Sequence, residues 1–192
     1  MWKWILGGIA VVIVVLAATC YYAVKKLGEA GNSTQVTIGA PIERVFGALA
    51  NADSMAVWMS TGSMAPSAHG SLKAGDTLQV SAGGRNSSRN QSVSWVVNEV
   101  RPPYLLVLEI RGDTSRKIGL LRRDSLATQG DSTVLTTTFT SPVMDSMRAL
   151  RGDTSSRGSF FERAFTSLMR LMAEDDLQRL KAHIEGKPMP EK

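Results

Sequence analysis

The sequence predicts an α+β domain, in which a curved antiparallel sheet wraps around one long C-terminal helix, carried behind a single N-terminal transmembrane helix. Three observations predict it. Ile5 to Val24 contains no charged residue. From about residue 77 to residue 140 apolar and polar side chains alternate with the period of a strand, and turn signals separate the runs. Beyond residue 159 the apolar positions recur instead at helical spacing.

Size and composition bound the possibilities. A chain of 192 residues accommodates one ordinary domain and an appendage rather than two full domains. With 43% hydrophobic and 20% charged residues it is neither disordered nor collagen-like. Its single Cys excludes a disulfide framework and a Cys-rich zinc site. His69 and His183 lie far apart and match no metal-ligand spacing, so no metal and no cofactor is expected. The net charge is +5, but residues beyond 31 hold 19 basic and 16 acidic side chains. The basic residues are scattered singly or in pairs, as at Arg122 and Arg123, which reads as a solvated surface. A nucleic-acid partner would need a denser basic stripe interleaved with aromatics, and none is expected.

The charge-free run spans 20 residues, roughly 30 Å as a helix, which matches the hydrocarbon core of a bilayer. Trp2 and Trp4 flank one end and Tyr21 and Tyr22 the other, in the manner of interfacial aromatic belts. Lys25 and Lys26 stop the run. A cleaved signal peptide competes with this reading, but Ala17-Ala18-Thr19-Cys20 forms a poor cleavage or lipoprotein site. Residues 1–26 are therefore expected to be an uncleaved anchor contacting membrane lipid through residues 5–24. Lys3 and the terminal amine balance Lys25 and Lys26, so the charges do not choose a side of the membrane for the globular part. Residues 27–33 read as a short tether, 34–186 as the folded domain and 187–192 as a tail.

Within the domain, Val36 and Ile38 alternate with Thr37 as a first strand. Pro41 then opens a helix whose Ile42, Val45, Phe46 and Leu49 share one face, with Glu43 in its first turn. Asp53 is the expected cap of a second short helix, Ser54 to Met59. Thr61 to Gly75 reads as a loop or short edge strand. Strands follow around Leu78 and Val80, around Val93, Trp95 and Val97, and around Leu106, Leu108 and Ile110. Further strands lie around Ile118 and Leu120, and over Thr133 to Thr140. Arg101-Pro102-Pro103, Gly112-Asp113 and Gln129-Gly130-Asp131 separate them, which implies an antiparallel meander. A loop over 141–158 precedes the final helix. Ser159 and Glu162 there have capping-box spacing, and Phe161, Phe165, Leu168, Met172, Leu177, Leu180 and Ile184 follow as one apolar face. Gly186 and Pro188 end it.

Three stretches of this order resemble the START-like, or SRPBCC, helix-grip superfamily, which includes polyketide cyclase/dehydrase and lipid-transport families. They are Val36-Thr37-Ile38-Gly39-Ala40-Pro41-Ile42-Glu43-Arg44-Val45-Phe46, Trp58 after Asp53, and Leu177-Gln178-Arg179-Leu180-Lys181. The resemblance covers residues 34–186. It implies a hydrophobic cavity between sheet and final helix for a lipid-like or polycyclic ligand, and it does not by itself imply catalysis. The side chains expected to line that cavity are Trp95, Leu106, Leu108 and Phe139 from the sheet and Phe161, Phe165, Leu168 and Met172 from the helix.

No catalytic set emerges from the residues. Asp175 and Asp176 are adjacent on a helix, so they diverge, and they read as a solvated face. Glu99, Glu109 and Arg123 are the nearest ionisable options on the strands for a cavity. The pentapeptide Arg-Gly-Asp-Thr-Ser occurs at 111–115 and 151–155, where Gly-Asp suits tight turns. Three functions follow in order of preference: a membrane-tethered binding module for a hydrophobic small molecule, a cyclase/dehydrase-like enzyme, and a protein-interaction domain with a filled core.

Overall fold

The computed structural model describes residues 33–60, 63–66, 69–82, 91–111, 119–141 and 160–190. The chain enters as strand β1 (Ser33–Ile38) and turns at Gly39-Ala40-Pro41 into helix α1 (Ile42–Leu49). Pro41 is the N-cap, and its extended backbone suits a residue that cannot donate a main-chain hydrogen bond. Ile42, Val45, Phe46 and Leu49 are all buried, as the spacing requires.

Helix α2 (Ala52–Trp58) follows at once. Its cap is Asn51 rather than Asp53: the Asn51 side chain accepts from the Ser54 N–H at 3.0 Å. Asp53 lies in the first turn and instead accepts from the Gly70 N–H at 3.0 Å and pairs with His69 at 3.0 Å.

The meander then runs β2 (Ser63–Pro66), β3 (Thr77–Ala82), β4 (Gln91–Arg101), β5 (Leu105–Arg111), β6 (Leu120–Gln129) and β7 (Ser132–Thr140). Consecutive strands pair antiparallel, and β1 pairs with β7, giving a seven-stranded sheet in the order β1-β7-β6-β5-β4-β3-β2. A register shift between Val97 and Glu99 in β4 bends the strand. Gly130, at φ 59°, makes the tight β6–β7 turn that Gln129-Gly130-Asp131 signals.

The final helix, α3 (Phe160–Glu185), crosses the sheet and touches β1, β7, α1 and α2. Gly186 ends it at φ 67°, with the Lys187 N–H donating to the Ala182 carbonyl at 2.9 Å in a Schellman closure. Arg44 of α1 donates to the Ile184 carbonyl at 2.9 Å, and Glu185 accepts from the Gly39 N–H at 3.0 Å, so the β1–α1 corner and the end of α3 lock each other.

One face of the sheet, α1, α2 and the second half of α3 share a continuous core. Ile38, Val45, Leu49, Trp58, Leu78, Leu106, Leu108, Leu135, Leu177 and Leu180 are at its centre. The apolar face of α3 is not continuous, however. From Met172 to Leu177 is five residues, roughly 140° around the axis, so the stripe through Leu168 and the stripe through Leu177 point in different directions. The second stripe, with Ala173, Leu180 and Ile184, is the buried one, and Leu168 and Leu171 are exposed.

The N-terminal transmembrane helix expected over residues 5–24 lies outside the described residues, as do Gly112-Asp113 and the loop over 142–158. Among the described residues no helix is long and apolar enough to cross a membrane.

Candidate functional site

Strand β6 carries the residues that distinguish the site. Leu120, Arg122, Asp124 and Leu126 are separated by two positions each and therefore point to one face. That face is the buried one, so Arg122 and Asp124 are placed inside, where both are almost fully enclosed. In register, Arg122 lies between Leu108 of β5 and Phe139 of β7, and Asp124 lies between Leu106 and Thr137.

A buried charge must be paired, and here each is. Arg122 Nε donates to both oxygens of Asp124, at 2.9 and 3.2 Å. Arg122 Nη1 donates across to Asp176 of α3 at 3.1 Å. The Thr137 hydroxyl donates to Asp124 as well. Asp176 accepts in addition from the Ser60 N–H and the Ser60 hydroxyl, both at 2.8 Å. The guanidinium lies 5.9 Å from the Trp58 ring centroid and 5.7 Å from that of Trp95, within range of cation–π attraction. Burial on its own would push the Arg122 pKa down, but the Asp124 and Asp176 carboxylates outweigh it and raise the pKa above its ordinary value, so Arg122 stays charged.

Further hydrogen bonds tie together the elements around this set. Trp58 donates from its indole to the Ala48 carbonyl at 3.3 Å, and its own carbonyl accepts from Arg179 Nε at 3.0 Å. Arg179 Nη1 reaches the Pro190 carbonyl at 2.9 Å, which ties the C-terminal tail back to α3. Thr133, also buried, donates to the Ala40 carbonyl at 2.7 Å.

The arrangement suits orientation better than proton transfer. Arg122 is a donor with no acceptor capacity, and each carboxylate already receives three or more hydrogen bonds from the groups named above. Among the described residues no His, Cys, Asp and Glu group could hold a metal ion. A separate open groove of about 370 Å³ lies between β1 and α3, lined by Thr34, Gln35, Glu174, Asp175, Leu177 and Gln178. Its lining is mostly polar and offers little to an apolar molecule.

Of the side chains expected to line a cavity, Trp95, Leu106, Leu108 and Phe139 are all buried on the face that carries Arg122. Phe139 packs in a smaller cluster with Leu120 and Ala173, backed by Ile110 and Met169. Met172 is half-buried, and Leu168 is 52% exposed because it lies on the far side of α3 from Leu177 and Leu180. The side chains of Phe161 and Phe165 lie outside the described residues.

The polar members correct the expectations drawn from sequence. Arg122 is not a surface residue; its neighbour Arg123 has the outward phase. Asp175 and Asp176 do diverge, but only Asp175 is exposed, and Asp176 turns to the sheet. Glu109 faces away and pairs with Arg111 at 2.7 Å, and Glu99 pairs with Arg101. The sequence carries a signal for the burial of this polar set. Arg122 and Asp124 are in phase with Leu120 and Leu126, Thr137 is in phase with Leu135 and Phe139, and Asp176 falls on the helical stripe of Ala173 and Leu180.

Comparison with solved structures finds the same fold in several proteins. DynU16, from the dynemicin biosynthetic locus, is 18% identical with a TM-score of 0.57, over 83% of this chain and 49% of that one. The present chain thus spans about half the length of DynU16. The Aha1 dimer from Colwellia psychrerythraea is 17% identical with a TM-score of 0.54, over 80% of this chain and 94% of that one. Bacillus halodurans protein BH1534 is 19% identical with a TM-score of 0.52, over 79% and 94%. At these identities the likeness is one of fold. Comparison with curated proteins finds no match. The sheet gripping a C-terminal helix agrees with a family model that matches residues 32–185, and the chain accordingly belongs to the polyketide cyclase / dehydrase and lipid transport family.

Proposed function

We propose that this protein is a membrane-tethered binding module for a lipid-like or other hydrophobic small molecule, held between the sheet and α3. Residues 1–26 would be the anchor, 27–33 the tether, 34–186 the binding domain and 187–192 the tail. The observation that carries the reading is the inward sheet face of Trp95, Leu106, Leu108 and Phe139, a buried apolar face that carries the charged Arg122 guanidinium among these side chains. Apolar burial would supply the affinity, at about 25 cal/mol per Å² before association costs. A tether would keep the domain beside a lipid reservoir, and the charge-free run from Ile5 to Val24 supports it. The test is native mass spectrometry of the full chain released gently from membranes. A co-purifying apolar molecule of defined mass is the expected result. An empty protein that also takes up no fluorescent lipid would sink the proposal.

A cyclase/dehydrase-like enzyme is the second reading, and the buried carboxylates of Asp124 and Asp176 favour it over a filled interaction domain. It requires one carboxylate to exchange its present donors for a substrate proton. Asp124→Asn and Asp176→Asn variants that retain ligand uptake but no longer convert the co-purifying molecule would support it. Recovery of that molecule unchanged from the unmutated protein would count against it.

A further inference from the structure

Arg122 keeps one nitrogen uncommitted. Nε serves both oxygens of Asp124 and Nη1 serves Asp176, yet Nη2 is buried with no hydrogen-bond partner. Among buried side-chain atoms of the described residues it stands alone in this. Leaving a charged donor unpaired away from water is unfavourable, and native proteins seldom do so without a use for it. The guanidinium is also within 6 Å of two indole ring centroids, at 5.9 Å from Trp58 and 5.7 Å from Trp95. Around it the sheet offers Leu108 and Phe139 on the neighbouring strands.

Resting on the binding reading above, we propose that Arg122 Nη2 is the donor that anchors the ligand, and that the ligand is a neutral molecule bearing a carbonyl or hydroxyl oxygen on an aromatic or otherwise apolar body. The oxygen follows from Nη2, which can only donate. Neutrality follows from charge. The one positive charge of Arg122 already faces two carboxylates, so a fatty-acid or phosphate anion arriving at Nη2 would meet Asp124 and Asp176 at close range. A hydrocarbon without oxygen would leave Nη2 unpaired. The apolar body follows from the indole and aliphatic walls.

A matched series of probes tests this on the full chain in phospholipid nanodiscs. Benzophenone, a neutral ketone, is photo-crosslinked and the crosslinked peptides are mapped. Diphenylmethanol, diphenylmethane and diphenylacetate then compete at free concentrations corrected with empty nanodiscs. The expected result is crosslinking in the peptides that contain Trp58 and Trp95. Diphenylmethanol should compete about tenfold to a hundredfold better than diphenylmethane, the range of one hydrogen bond to a charged donor. Diphenylacetate should compete no better than diphenylmethane. Equal competition by all three would overturn the proposal in favour of a buried water on Nη2, while leaving the binding reading intact. Preference for diphenylacetate would overturn it by revealing an anion site. Absence of crosslinks at both tryptophan peptides would overturn it together with the binding reading. Arg122→Met should abolish the preference for oxygen, but it also strips two carboxylates of their counter-charge, so the competition series on the unmutated chain decides.

Discussion

Arg122, Asp124 and Asp176 form a set whose members depend on one another. Removing the cation alone leaves two buried carboxylates facing each other across the core. Arg122→Met is therefore expected to cost about 3–5 kcal/mol. Replacing all three by apolar residues of similar volume removes the uncompensated charges, and that triple variant should recover most of the loss. Urea unfolding of the single and triple variants checks both outcomes. A single variant as stable as the starting protein would show that the set is solvated. Recovery in the triple variant would mean that the charges are maintained for something other than stability, which is what a ligand anchor requires. At the surface, Asp53 makes a different prediction. The His69 hydrogen bond, and then the Gly70 N–H, hold its carboxyl below its ordinary value of 3.8. The sign is that of a depressed acid: its contribution is fully present above 3.8 and fades as pH falls through the lower folded value. Carboxyl-carbon NMR should show Asp53 titrating below an unstructured peptide control, and His69→Ala should move it back up.

Elements were easier to place in the sequence than the polar residues on them. Alternation located β3 to β7, and spacing located α1 and α3, because period and turn chemistry are local properties. The sequence points to Asp53 as the cap of α2 because Asn51 and Asp53 are both good capping types, and the choice between them depends on a contact with residues 69 and 70, 16 and 17 positions further on. Arg122 and Asp176 read as surface residues in the sequence because charged types are usually exposed. Only their phase relative to flanking apolar residues spoke against it, and their partnership joins β6 to α3 across 54 positions. The same principle of phase applies to α3. Leu180 lies on the buried stripe and Leu168 on the exposed one. Leu180→Ala should cost about 2–5 kcal/mol, and Leu168→Ala should fall within about 0.5 kcal/mol of no effect. Thermal unfolding of the two variants checks this, and equal losses would place both stripes in contact with the core.

For the molecule as a whole, the sequence order of one strand, two short helices, a meander and a long helix already implied a single sheet closed by α3. The pairing of β1 with β7 was not visible locally, since it joins positions about a hundred residues apart. That pairing makes the described domain continuous from Ser33 to the end of α3, with its N-terminal entry at one edge of the sheet. If residues 1–26 act as the proposed anchor, the full chain should stay with membranes through alkaline carbonate washing, and a chain beginning at residue 27 should be released. Release of the full chain under the same wash would refute the anchor without touching the domain.

The placement of β1 has a mechanical corollary. Its six residues from Ser33 to Ile38 are laid antiparallel against Thr138 to Thr133. A tug applied at Ser33 along the strand would load all these pairings in shear at once, instead of peeling them apart singly. Drag on a leash fixed there would be carried into the middle of the fold through β7, whose Thr137 also touches Asp124. Force on the tether and the posture of the interior charge cluster are thereby joined through a single strand.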